Sequence, residues 1–562
     1  MSLRALWLGT ILLFFWNGTT FNAATLNADK YNHTYRLPKT FRPIVYDVRL
    51  TFSDKEEFTR GQVTIEIQCQ EASDEIIISV NPMYIQITNS HLEDKLHNRS
   101  VSLGKPTLDF DTFTARFALP YTVEKGYVHY LKIWFKGTFS SAEKGLIRRE
   151  TEERGVWFYT LFEPSNARRM FPCFDEPGFK AFFMLQLWLT DGLAQQKFVQ
   201  SLYVGSFCFC DYRYVALSNT NGHRFEWNDK LTIWTFEKTL PISPYLFTIV
   251  IGQFSANCAT SEITLDDICI WRFSDNLSWN DTAQKIIGHM SRFQTEMTDY
   301  LLIEPGTRLH ILILPLRLNG MENSGLLYIS ERVCLLLFFL LERHITALAN
   351  QRRAITSEIW EHAVSRDDTP VEWWDDIWLS ESLTSYLSDL HPIQYKIVND
   401  ITEDPLVSPK WSAGIPRMVY TKGSAVMKML EDVVGPHRMR TLLRNYVRIH
   451  QYGTANTSTF FSLLDNVTQD LPFNGSDFLE PWLFKGSHPL IFVDYDRETN
   501  QLCFTQTPKV GDPSTRWDIP LWVEALDDES GAERLYWIPN TGQLLISIHE
   551  VWLPSIAPSD FV

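Results

Sequence analysis

The sequence predicts a multidomain α+β protein with an N-terminal antiparallel β domain, a mixed α/β domain and a small C-terminal β domain. Its 562 residues are enough for several domains, and 45% of them are hydrophobic, which is enough to build real cores. Short strand-like runs separated by turns fill residues 35–250 and return after residue 488. Helical periodicity dominates the region between them. The expected units are therefore 35–250, 251–487 and 488–562.

Residues 1–24 are expected to form a secretory signal peptide. Arg4 supplies the positive charge, Ala5–Trp16 is an apolar run of 12 residues, and Ala23 and Ala24 offer a cleavage site. This run is short for a membrane span, which needs roughly 20 residues. An uncleaved N-terminal membrane anchor stays open as the alternative. Seven glycosylation sequons agree with a secreted, extracellular protein; their asparagines are Asn32, Asn98, Asn276, Asn280, Asn456, Asn466 and Asn474.

Charge and cysteine content narrow the functional class. A net charge of −16 argues against nucleic acid and anionic membranes as partners. The eight cysteines are too sparse for a disulfide scaffold, and the sequence does not fix their pairing. Cys258 with Cys269 is a candidate for a local bridge.

The individual elements follow from local periodicity. A helix is expected at Thr282–Tyr300, a strand at Arg308–Leu314, and helices near Arg352–Val364 and Leu379–Leu390. The remaining predicted strands are Ile44–Phe52, Gly61–Gln68, Glu75–Val80, Tyr127–Gly137, Leu231–Phe236, Leu490–Tyr495, Gln501–Gln506, Trp517–Ala525, Glu533–Ile538 and Gln543–Ile548. The remaining predicted helices are Leu430–Val434, Arg438–Ile449, Thr459–Val467 and Phe478–Phe484.

The segment from Thr356 to Tyr386 has the layout of a metal centre. Ligands four residues apart on a helix point the same way and can hold one ion. Glu358 and His362 have this spacing, and Glu381 lies nineteen positions after His362. A catalytic zinc needs three protein ligands and an open position for water, with a neighbouring glutamate to take the proton.

This layout resembles the M1 (gluzincin) aminopeptidases, the aminopeptidase N family, which carry HExxH and a ligand glutamate after eighteen further residues. The phrase VEWWDDIWLSESLTSY at 371–386 resembles the stretch around that third ligand. Without gaps, His362 and Glu381 match two zinc ligands. Glu358 then stands at the first ligand histidine, and Ile359 stands at the general-base glutamate.

A second register, with one inserted residue, puts Glu358 on the base position. Ser357 and Glu361 then fall on the histidine positions, so neither register restores HExxH. The first register is preferred because it keeps the spacing to Glu381. Glu361 is a poor replacement base in that register, because two residues correspond to about 200° around a helix.

Residues 161–183, LFEPSNARRMFPCFDEPGFKAFF, resemble a second M1 motif. The resemblance implies that Glu163 binds the free α-amino group of a peptide. Arg168, Arg169, Asp175 and Glu176 are expected to form structural ion pairs there. Leu161 stands where the family usually has glutamine.

Residues 319–331, NGMENSGLLYISE, resemble the family's GAMEN exopeptidase motif on an edge strand. Gly320, Met321, Glu322 and Asn323 carry the match, and Glu322 corresponds to the principal amine-binding carboxylate. An edge strand would also let the substrate backbone add as an extra strand.

The segment GIPRMVYTKGSAVMKML at 414–430 resembles the part of the family that carries a catalytic, oxyanion-stabilising tyrosine, here Tyr420. The resemblance implies a thermolysin-like α/β catalytic domain followed by a β-sandwich. The sequence ends at Val562 after these strands, so the large helical C-terminal domain usual in the family is not expected.

Three functions compete on this sequence. The preferred one is an aminopeptidase N-like protein that recognises peptides with a free N-terminus but has impaired or lost hydrolysis, with zinc as the family cofactor. The alternative is an active metalloaminopeptidase in which Glu358 replaces a histidine ligand. The third is a structural glycoprotein with a vestigial pocket.

Overall fold

A computed structural model describes residues 35–333 and 371–547, apart from 56–57, 95, 195–196, 204–205, 261–266, 274–279, 303–308, 389–403, 451–452 and 525–532. The predicted signal peptide lies outside the described residues. So does the predicted helix that carries Glu358, Ile359, Glu361 and His362.

The described chain forms 27 strands and six α-helices. The strands are β1 (Phe41–Ser53), β2 (Phe58–Cys69), β3 (Ser73–Ser79), β4 (Ile85–Asp94), β5 (Arg99–Ser102), β6 (Thr107–Asp109), β7 (Thr114–Val123), β8 (Val128–Thr138), β9 (Gly145–Thr151), β10 (Gly155–Leu161), β11 (Phe182–Thr190), β12 (Lys197–Tyr203), β13 (Ser206–Tyr212), β14 (Val215–Ser218), β15 (Gly222–Asn228), β16 (Leu231–Phe236), β17 (Ile249–Gly252), β18 (Phe254–Thr260), β19 (Asp267–Phe273), β20 (Leu309–Leu314), β21 (Gly320–Met321), β22 (Leu326–Ser330), β23 (Pro489–Asp496), β24 (Gln501–Pro508), β25 (Ile519–Glu524), β26 (Glu533–Ile538) and β27 (Leu544–Ser547). The helices are α1 (Asn280–Leu301), α2 (Trp378–Ser388), α3 (Arg417–Val434), α4 (Pro436–His450), α5 (Thr457–Thr468) and α6 (Gly475–Phe484).

The largest sheet has eight strands in the order β15-β16-β11-β1-β2-β8-β4-β5. Strand β1 shows why it forms: Tyr46, Val48, Leu50 and Phe52 alternate with more exposed residues, and all four are buried. The prediction of a purely antiparallel domain is wrong at one place, because β1 and β11 pair in parallel. Parallel neighbours need a long connection, and residues 54–181 provide one.

A four-stranded antiparallel sheet, β14-β17-β10-β9, and a three-stranded sheet, β3-β7-β6, complete most of this β-rich region. Strand β10 is buried over nearly its whole length, from Val156 to Leu161. Strand β10 leads directly into the predicted amine-binding motif, so the position of Glu163 is set by a buried strand that ends two residues before it.

The next sheet combines parallel and antiparallel pairs in the order β18-β19-β20-β22-β21. Strands β19, β20 and β22 run parallel, and β20 and β22 are entirely buried, as expected for strands covered on both faces. The proposed bridge between Cys258 and Cys269 is present across the β18–β19 pair. Strand β21 lies at the edge of this sheet, as the exopeptidase motif predicts.

Helices follow, and each buries one apolar face. Helix α3 extends well beyond the predicted Leu430–Val434, because the residues that follow Pro416 already have helical backbone. Helix α5 begins at a capping box formed by Asn456 and Thr459, and Asn474 caps α6. No helix in the described ranges is both long and apolar enough to cross a bilayer.

The last strands form two small sheets, β23-β24-β27 and β25-β26. Strand β23 is unusual because apolar side chains on both of its faces are exposed. Leu490, Ile491, Phe492, Val493 and Tyr495 each expose between 37% and 52% of their surface. Within the described residues, β23 is hydrogen-bonded to a neighbour on one side only.

The motif at 161–183 is fixed by a buried ion pair between Arg168 and Asp175. The Asp175 carboxylate accepts hydrogen bonds from Arg168 Nε at 2.8 Å and from the Arg168 backbone N–H at 3.1 Å, and Asp175 is 1% exposed. Glu176 binds Arg36 at 3.0 Å, so its partner comes from outside the motif. Arg169 stacks on Tyr84.

Replacing Arg168 with methionine should lower the stability of the whole N-terminal region. The substitution leaves a carboxylate buried without its counter-ion, which typically costs about 3–5 kcal/mol. Urea unfolding followed by tryptophan fluorescence measures the loss. Arg116→Met is the matched control, because the Arg116–Glu75 pair is 50% and 38% exposed and such pairs contribute about 0–1 kcal/mol. Equal losses in the two variants would contradict the assignment.

Helices α2 and α5 meet through Asp376, just before α2. Its carboxylate accepts hydrogen bonds from the Thr457 hydroxyl and from the Thr457 backbone N–H at the start of α5. Trp378 Nε1 donates to the same hydroxyl oxygen at 2.9 Å. Burial raises the pKa of Asp376 to about 6, although the Thr457 hydrogen bonds lower it.

We expect Asp376 to make stability fall as the pH rises from about 4 to about 6. The folded state holds a proton there that the unfolded chain, with a pKa near 3.9, has already released. Asp376→Asn keeps an acceptor for Thr457 and removes the titration. The variant should exceed the parent by about 1–3 kcal/mol above pH 7 and match it near pH 4. A difference independent of pH would refute this.

Candidate active site

Glu163 lies in a short loop directly after β10 and is half-buried. Two hydrogen bonds within the loop fix its backbone: Asn166 Nδ2 donates to the Glu163 carbonyl oxygen at 2.9 Å, and the Asn166 N–H donates to the Phe162 carbonyl at 2.6 Å. Leu161, which precedes the loop, is 5% exposed and packs in the hydrophobic core.

The Glu163 loop is tied to the segment that leads into α2. Trp374 Nε1 donates to Ser165 Oγ at 3.1 Å, and the Trp374 ring packs edge-on against Tyr245 with 5.1 Å between ring centroids. Trp374 is fully buried and precedes Glu381 by seven residues. One buried indole therefore connects the Glu163 loop to the segment that precedes α2.

Glu322 follows the edge strand β21 and is 8% exposed. The turn after it is held by Asn219, whose Nδ2 donates to the Ser324 carbonyl at 2.7 Å. Gly325 adopts a left-handed backbone with φ at +74°, and a Cβ there would lie 2.2 Å from the Asn219 carbonyl oxygen. Only glycine fits this position.

Three buried hydroxyl groups connect the Glu163 and Glu322 segments. Thr160 Oγ1 lies 3.1 Å from Thr248 Oγ1, which is hydrogen-bonded to the Tyr328 hydroxyl. Tyr328 pairs with Met321 across β22 and β21. Thr160 precedes Glu163 by three residues and Met321 precedes Glu322 by one, so this chain of hydroxyls connects the two segments on which these glutamates lie.

Glu381 lies in the first turn of α2 and is 4% exposed. Helix α2 packs directly against α3. Ser382 Oγ on α2 donates a hydrogen bond to the Val419 carbonyl on α3 at 2.8 Å. A Cβ at Gly423 would lie only 1.9 Å from Ser382 Oγ, so the glycine is what allows this close approach. Tyr420 is half-buried on the first turn of α3, next to Val419. Glu381 and Tyr420 thus lie on two directly packed helices.

Carboxylates outnumber cations in the described segment before α2. Burial raises the pKa of Asp375, and it raises that of Asp376 to about 6. Glu372 differs, because a hydrogen bond from Lys39 at 2.6 Å lowers its pKa. The negative charge of this segment favours a cationic group over an anionic one nearby.

The structure describes only part of the predicted metal centre. Of its candidate ligands, Glu381 is described, whereas Glu358 and His362 lie outside the described residues. Within the described ranges, no three His, Cys, Asp or Glu side chains cluster as a metal site. The predicted donor set of one imidazole and two carboxylates, with Ile359 at the base position in the preferred register, would not fit a hydrolytic zinc centre, because a hydrocarbon side chain cannot take a proton from water.

The sequence did not reveal the residues that hold this arrangement together. Asn219 is separated from Ser324 by 105 positions, and no local motif marks it. Ser165 stands inside a motif that points to Glu163, and its role depends on the distant Trp374. For Ser382, one signal could have been used. Gly423 is a small residue near Tyr420, and a small residue on a helix permits close packing of a second helix.

Comparison with known proteins agrees with this architecture. A family profile described as the peptidase M1 N-terminal domain matches residues 42–191, and one described as the peptidase family M1 domain matches residues 391–482. The second match begins downstream of the exopeptidase segment and of the predicted metal segment.

Among the similar proteins, two are named as aminopeptidases and a third is named as a factor that interacts with a protease. Human glutamyl aminopeptidase is 25% identical over 548 residues, which cover 87% of this chain and 52% of that protein. Rat aminopeptidase N is 24% identical over 580 residues, covering 92% and 56%, and tricorn protease-interacting factor F2 of Thermoplasma volcanium is 26% identical over 424 residues, covering 69% and 48%. The chain spans about half the length of these relatives. It belongs to the M1 peptidase family and is aminopeptidase N-like.

Proposed function

We propose that this chain binds the free N-terminus of peptides and that its hydrolytic activity is impaired or lost. The observation that carries the proposal is the pair Glu163 and Glu322, delivered by two segments that are locked together through Thr160, Thr248 and Tyr328. A protonated α-amino group brings one positive charge and three N–H donors, and charge-assisted hydrogen bonds to carboxylates are the strong kind.

The edge strand β21 supports the same proposal. Glu322 directly follows β21, and β22 pairs with β21 on one side. An extended peptide lying along this edge would bring its first residue beside the Glu322 carboxylate. Leu161, where the family usually has glutamine, is in the core, so the preference for the first side chain differs from that of relatives with an open pocket there.

The altered metal segment supports the loss of hydrolysis. Zinc is the family's cofactor, and where it is bound it activates a water molecule for attack on the peptide bond. In this chain Ile359 offers no base and Glu358 replaces an imidazole with a carboxylate, which favours oxygen-preferring ions over zinc. Tyr420 and Glu381 lie on two packed helices, which supports a peptide pocket that is kept while its hydrolytic activity is lost. The predicted N-terminal signal peptide favours action outside the cell.

Glu322→Gln should weaken binding of a free N-terminus. A fluorescent peptide is titrated into the purified chain, beside the same peptide with its N-terminus acetylated. The parent should prefer the free form, and the variant should lose about 10- to 100-fold in Kd, because a hydrogen bond to a charged group contributes about 1.5–3 kcal/mol. Affinity should also fall above pH 8, where the α-amino group loses its proton.

The control for that experiment is Glu480→Gln, an exposed carboxylate on α6. It should bind like the parent. Equal affinity for the free and acetylated peptides would sink the proposal and favour a structural protein with a vestigial pocket.

Restoring the HExxH motif should restore hydrolysis of N-terminal residues. Glu358→His together with Ile359→Glu recreates HExxH at the spacing that Glu381 requires. Aminoacyl-arylamide hydrolysis and metal content are measured with and without chelator. The double variant should gain zinc and chelator-sensitive turnover at least about 10²-fold above the parent, the lower bound for a general base. Stoichiometric zinc and chelator-sensitive turnover in the parent itself would instead establish a working enzyme in which Glu358 is a ligand.

A further inference from the structure

One sequon asparagine, Asn474, presents its amide nitrogen to solvent while its oxygen is in use. Asn474 Oδ1 accepts hydrogen bonds from the backbone N–H groups of Ser476 at 2.9 Å and Asp477 at 3.3 Å, at the start of α6. Among the described residues, Asn474 Nδ2 has no hydrogen-bond partner, and the residue is exposed. An N-linked glycan attaches to Nδ2, so it would leave this cap intact.

Asn474 also stands at the rim of an open depression of about 300 Å³. Leu471, Pro472 and Phe473 supply an apolar wall, and Gln469 and Asp465 supply polar groups. A pyranose ring has apolar C–H faces and a rim of hydroxyl groups, so this mixed lining suits a sugar better than a purely apolar ligand. The Asp465 carboxylate is already held by Ser476, whose Oγ donates to it at 2.9 Å.

A second sequon, Asn456, provides the contrast. It is half-buried, its Oδ1 caps α5 through the Thr459 N–H at 3.0 Å, and its Nδ2 donates to Glu372 Oε2 at 3.4 Å. Glu372 in turn binds Lys39. A glycan replaces one of the two hydrogens on this half-buried nitrogen, so its first sugar would crowd Glu372 and disturb that ion pair.

We propose that Asn474 carries an N-linked glycan whose first sugar rests in the depression beside it, and that Asn456 stays unmodified. The inference rests on the predicted secretory route and is independent of peptide binding, so loss of either leaves the other standing. The sequon alone treats the two asparagines alike, whereas the contacts of their amide nitrogens separate them.

The test is site-resolved glycopeptide mass spectrometry on the full chain secreted from eukaryotic cells. The Asn474 peptide should carry a glycan and the Asn456 peptide should not. Ser476→Ala destroys the sequon but keeps the Asn474 cap, and it should remove one glycan; Ser476→Thr keeps the sequon and should retain it. An unmodified Asn474, or glycan on Asn456, would overturn the assignment.

Enzymatic release of the glycan tests its position. Under native conditions, a glycosidase should remove the Asn474 glycan more slowly than one at the exposed turn residue Asn98, and the two rates should converge after denaturation. Equal native rates would show that the sugar does not rest in the depression.

Discussion

The hydrogen-bonded hydroxyls of Thr160, Thr248 and Tyr328 are the contact on which the candidate site depends. They lie on or beside strands of two different sheets and are buried where those sheets meet. Buried polar groups are costly unless they are paired, so each hydroxyl constrains the positions of the other two. Burial accordingly raises the pKa of Tyr328 well above the ordinary value of a phenol. These hydrogen bonds therefore also constrain the relative positions of the Glu163 and Glu322 segments.

The second half of the site depends on small residues between helices. Ser382 and Gly423 let α2 and α3 approach closely, and a hydroxyl-to-carbonyl hydrogen bond fills the contact. Glu381 directly precedes Ser382 in the sequence, and Tyr420 lies three residues before Gly423. The Glu163 loop and the segment that precedes α2 are joined by Trp374, whose indole N–H donates to Ser165.

Much of the architecture could be predicted from the sequence, because strand and helix periodicity are local properties. Leu231–Phe236 and Glu533–Ile538 form strands with the predicted limits, and β21 lies at a sheet edge. The parallel pairing of β1 with β11 could not be predicted from the sequence, because the choice of partner strand depends on the whole topology. Motifs pointed to Glu163, Glu322 and Tyr420, whereas Asn219, Trp374 and Arg36 act through contacts distant in sequence, which one sequence cannot show.

The exposed strand β23 has a consequence for handling the protein. Five apolar side chains on an edge strand that contains no lysine, and whose one proline is its first residue, Pro489, form a template on which another extended chain can add. Its only charged residues are Asp494 and Asp496, whose negative charges repel a second copy of the same edge, and salt screens this repulsion. Preparations of this chain are therefore best kept at neutral pH and low salt, where like charge keeps the molecules dispersed.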